Sequence, residues 1–89
     1  MAGEESWSHT VVDEPDGTCR LEVTDEDGAR LPIARQLSRA QAAILIERIA
    51  REARRERKPI KAVIRDPYFM AATVITVKRL PAAGDARSG

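Results

Sequence analysis

The chain has 89 residues, 43% of them hydrophobic and 33% charged, with a formal net charge of +1. That size allows one domain around one core. A single cysteine, Cys19, rules out an intrachain disulfide, and with His9 as the one histidine a four-ligand zinc site is ruled out too.

The charge is unevenly spread. Residues 1–29 hold nine acids against one base, Arg20, whereas residues 30–89 hold fourteen bases against five acids. Such segregation bears on partners, or on the two halves facing each other, and not on fold class. Aromatic residues are confined to Trp7, Tyr68 and Phe69, so aliphatic side chains must build the core. A core this thin is often completed by a second subunit, and self-association is expected.

Residues 1–5 read as a frayed end, residues 6–80 as the ordered domain and 81–89 as a frayed tail. The acidic start lacks the basic and apolar runs of a secretory leader. The lone thiol fits a reducing compartment, so a cytoplasmic location is expected. No apolar run approaches the ~18–20 residues that span a bilayer, so no membrane partner is expected.

From Ser6 to Ile33 the pattern has period two and predicts a three-strand meander: Trp7-His9-Val11, Cys19-Leu21-Val23 and Ala29-Leu31-Ile33 supply one face. The turns Pro15-Asp16-Gly17 and Glu26-Asp27-Gly28 each fit a three-residue loop, a type I turn followed by a left-handed glycine. An odd loop keeps residue parity, which puts all three odd-numbered sets on the same side. Pro32 has no N–H to give a neighbour, so the third strand is expected at an edge.

Ser38-Arg39-Ala40-Gln41 fits a capping box, and Pro59 disfavours helix at its predecessor. One continuous helix is therefore predicted over 38–58, roughly 30 Å long at ~1.5 Å per residue. Its stripe of Ala42, Leu45, Ile46, Ile49 and Ala53 should pack on the odd face of the meander. Beyond it, Ile60–Ile64 reads as a short strand, Asp66-Pro67-Tyr68 as a turn, and the β-branched run 71–78 as a last strand closed by Pro81. The expected fold class is α+β in the order βββαββ, a small antiparallel sheet with the helix packed on one face.

The candidate chemistry is sparse. Asp25-Glu26-Asp27-Gly28 resembles the start of a calcium loop, but Gln36 stands where the bidentate twelfth ligand is needed. His9 and Cys19 fall on one face at neighbouring cross-strand positions, among Val11, Leu21 and Val23, and neither lies at a helix N-terminus that would activate a thiol. Glu47 with Arg51, and Glu52 with Arg48 and Arg55, stand three or four residues apart and read as ordinary helix ion pairs, with Glu56 near Glu52 on the same helix. No glycine-rich phosphate loop is present. No cofactor, metal or catalytic residue is expected.

The informative surface is the outer helix face. Arg48, Arg51, Arg54, Arg55 and Lys58 project opposite the core stripe, Lys61 follows in sequence, and Ile44 falls among them as an apolar anchor. Of Tyr68 and Phe69, one should cap the core and the other stand exposed. The expected function is a non-enzymatic interaction module, a homodimeric accessory or regulatory subunit that uses this helix face and an exposed sheet edge, with an acidic protein as a further partner. The alternative is nucleic-acid binding through the basic face. The absence of aromatics among those arginines weighs against it.

Overall fold

A computed structural model describes residues 6–80. The expected frayed ends, 1–5 and 81–89, and Pro81 with them, lie outside the described residues. Three strands come first: β1 (Ser8–Asp13), β2 (Cys19–Thr24) and β3 (Arg30–Leu37), antiparallel in the order β1-β2-β3. Three helices follow: α1 (Arg39–Glu56), α2 (Ile60–Ile64) and α3 (Pro67–Lys78). The α+β class and the meander are as the pattern predicts. The order βββαββ is not: Ile60–Ile64 and the 71–78 run are helical.

Both hairpins close by the predicted chemistry. The Glu14 N–H donates to the Thr18 carbonyl and the Gly17 N–H to the Glu14 carbonyl, leaving 15–17 as the loop. The Asp25–Ala29 closure repeats this pattern with Gly28. Gly17 and Gly28 have φ of 90° and 86°, a region an L side chain enters only with strain. Parity then holds, and Cys19, Leu21 and Val23 all face the core.

β3 is the edge strand that Pro32 requires, but it runs four residues past Ile33 and breaks parity twice. Leu31 sits opposite Val23, Ala34 opposite Leu21 and Leu37 opposite Cys19, so β3 carries two extra residues. Each is a bulge that returns an apolar residue to the buried face. Gln36 takes up the second with φ of 58°.

α1 opens with the expected capping box. The Gln41 N–H donates to Ser38 Oγ at 3.0 Å, and the Ser38 N–H donates to Gln41 Oε1 at 2.8 Å. Arg57, at φ 56°, closes the helix two residues short of Lys58. Ala42, Leu45 and Ile49 are fully buried, while Ile46 and Ala53 pack beside them. With Leu21, Val23, Leu37, Ile60, Val63 and Val77 they form one core between sheet and helices.

α2 owes its helical state to a distant cap. Its own N-cap, Pro59, offers no side chain. Glu26, on the β2–β3 turn, accepts the Ile60 N–H at 2.6 Å and the Lys61 N–H at 3.1 Å. α3 has a local cap: Asp66 accepts the N–H groups of Tyr68 and Phe69, and Pro67 occupies the first turn. A spacing of four buries Thr73 and Val77, a helical period inside a run of strand-favouring residues. The last carbonyls of α3, at Val77 and Lys78, and that of Leu80 accept from Gln41 Nε2 at 3.1–3.4 Å.

Candidate interaction surface

The sequence-predicted contact residues divide into two groups. Arg51 is held by Glu47 at 3.2 Å, and Arg55 by Glu52 at 2.6 Å and Glu56 at 2.8 Å. Lys61 is committed to the hairpin, its Nζ 2.9 Å from Asp27, and that carboxylate holds the ammonium above its usual pKa range. Among the described residues, Arg48, Arg54 and Lys58 are exposed and have no ion pair, as is the case for Arg57 beside them. Ile44 does not stand out among the arginines. It is half-buried and packs against the core. It lies one turn beyond Gln41, the residue that holds the end of α3, on a helix that packs against α3, a neighbour that a single-helix wheel leaves out.

The charge asymmetry of the chain is largely spent inside the molecule. Asp13 binds Arg39 through both oxygens at 2.7 and 2.8 Å, Glu22 meets Arg30 at 3.1 Å, and Asp25 lies 4.0 Å from Arg65. Every described acid has a hydrogen-bond or ion-pair partner. Asp16, for example, is held below the usual carboxylate range by the Thr18 hydroxyl and amide. The excess cations are thus the unmatched charge, and four of them lie between positions 48 and 58.

The acidic turn has a structural task. Asp25 is fully buried, and its Oδ1 accepts the N–H groups of Asp27 and Ala29 at 2.9 Å each. Its Oδ2 is buried without a hydrogen-bond partner. Asp25 toward Arg65, Glu26 on the start of α2 and Asp27 on Lys61 together clip the turn to α2. Among the described residues no group of three His, Cys, Asp or Glu is placed to hold a metal ion.

Cys19 and His9 are not neighbours. Cys19 pairs with Asp13 and His9 with Val23, four residues apart along β2, or about 13 Å at the rise of a strand. Cys19 is buried and its Sγ donates to Asp13 Oδ1 at 3.5 Å. Burial pushes the thiol pKa up and the hydrogen bond adds to the shift, the opposite of what a thiolate nucleophile needs. In the folded protein a thiol reagent at pH 8 is expected to label Cys19 on the order of a hundredfold more slowly than in urea, because reaction waits on opening. Equal rates in the two states refute that placement.

A shallow cleft of about 210 Å³ is lined by Glu14, Pro15, Asp16, Thr18, Arg35 and Gln36, smaller than the ~300–1,000 Å³ usual for small-molecule sites. The surface that sequence reasoning missed is on α3. Tyr68 is 86% exposed and Ile75 51%, with Ala71 and Ala72 exposed between them at helical spacing. Phe69 takes the core-packing role and Tyr68 the exposed one. Read as a strand, 71–78 scatters these residues over two faces. The Asp66-Pro67 start was the signal for a helix that gathers them.

Among the described residues no helix is long and apolar enough to cross a membrane. Comparison with protein families, curated proteins and solved structures returns no match.

Proposed function

We propose that the protein is a non-catalytic protein-interaction module, working as a homodimeric accessory or regulatory subunit in the cytoplasm. The observation that carries this reading is the uncharged exposed stripe of α3, Tyr68-Ala71-Ala72-Ile75. An aromatic anchor beside small and aliphatic residues is the composition of an interface centre. The raised thiol of Cys19 and the engagement of every described acid support a role without chemistry. Sedimentation over a range of concentrations is expected to show self-association. Affinity capture from source cells is expected to retain a partner that the double variant Tyr68→Ala, Ile75→Ala loses. A strict monomer that captures nothing refutes the reading.

A second reading, nucleic-acid binding, is favoured by the four unpaired cations Arg48, Arg54, Arg57 and Lys58. It predicts an affinity whose log–log salt slope is about −0.9 for each duplex phosphate neutralised. Binding to neither DNA nor RNA at low salt eliminates it.

A further inference from the structure

The two edges of the sheet differ in how they are defended. β3 carries Pro32, two bulges and a left-handed Gln36, devices that blunt an edge against a further strand. β1 carries none of them. It has no proline, its six residues pair with β2 without a register shift, and among the described residues no strand pairs with its outer side.

The hairpin closure tells which of its backbone groups are open. Both main-chain groups of Glu14 face β2, its N–H donating to the Thr18 carbonyl and its carbonyl accepting from the Gly17 N–H, and the side a strand residue bonds to alternates along the chain. The even residues Ser8, Thr10 and Val12 therefore spend their N–H and C=O groups on β2. The odd residues His9, Val11 and Asp13 aim theirs outward.

We infer that β1 is a self-pairing edge, on which a second copy of this chain adds its own β1 antiparallel and about Val11, making one six-stranded sheet. An antiparallel pair places residues of the same face opposite each other, so the partner of an odd residue is odd. Centring on Val11 engages all three outward residues: Val11 meets Val11 of the second copy, and His9 meets its Asp13. About six main-chain hydrogen bonds result. That register sets an imidazole N–H across from a carboxylate and an aliphatic pair on the axis. Moving the centre to Asp13 instead opposes acid to acid, and moving it to His9 leaves Asp13 without a strand partner. The contact is isologous and closes as a dimer, leaving the defended β3 edges outermost.

This inference rests on the proposed self-association and names the surface that performs it. The test is amide exchange followed by NMR at low and high protein concentration, with sedimentation of the same samples. The N–H groups of His9, Val11 and Asp13 are expected to exchange at least tenfold more slowly where the dimer forms, while those of Ser8, Thr10 and Val12 change little. His9→Pro removes an outward N–H at an exposed position and spares the ladder to β2. It is expected to weaken the dimer at least tenfold with the circular dichroism spectrum unchanged. A dimer whose odd amides stay unprotected, or which survives His9→Pro intact, overturns the β1 pairing and leaves the interaction reading standing on another face. A protein that stays monomeric at every concentration overturns the β1 pairing outright, and partner capture then decides the broader reading.

Discussion

Leu45→Ala is expected to lower the stability of the domain by about 3–4 kcal/mol, read as a shift of the urea midpoint. Leu45 is fully buried on α1 and belongs to the cluster that joins β2, the end of β3 and all three helices. Truncation removes the transfer energy of its side chain and leaves a cavity that a sheet on one side and helices on the other cannot both close. A domain of this length has a total stability of roughly 5–10 kcal/mol, so the variant should melt at least about 12 °C lower. Leu45→Met nearly conserves volume and is expected to cost less than about 1.5 kcal/mol. If Leu45→Ala costs under about 1 kcal/mol, the helices do not close over the sheet as described.

Asp25→Ala is expected to cost about 2–3 kcal/mol, a large effect for a polar residue on a hairpin. The substitution removes the acceptor for two turn amides and strips Arg65 of its nearest acid. Asp25→Asn keeps an oxygen for the same two amides and should retain about half of the loss. Glu26→Ala acts on the neighbouring turn residue but registers elsewhere. It uncaps α2 and leaves the N–H of the buried Ile60 without its acceptor, at about 1–2 kcal/mol. Urea titrations of the three variants measure these costs. An Asp25→Ala protein as stable as the parent would show that the turn is not clipped to α2.

The same turn explains why part of the fold was hidden in the sequence. α1 announces itself locally, through Ser38 and Gln41 at its start and an apolar stripe of about three turns. The meander does so through two glycine turns. α2 is five residues long, too short to show a period, and its N-terminal carboxylate comes from Glu26, 34 residues upstream. Nothing near Ile60 identifies a helix. α3 was legible in part: Asp66 and Pro67 are a helix start, but Thr73–Val77 favours a strand, and burial of Thr73 and Val77 at a spacing of four overrides that preference. The candidate surface divides likewise. The basic face of α1 follows from a wheel, whereas the pairing of Arg51, Arg55 and Lys61, and the inward packing of Ile44, depend on elements the wheel does not contain.

Gln41 has a further consequence. One carboxamide fastens the first turn of α1 through its oxygen and the last turn of α3 through its nitrogen. Helix ends ordinarily fray independently, each at its own small free energy. Here one side chain serves both ends, so fraying of the first turn of α1 is expected to weaken the hold on the last turn of α3, some forty residues away.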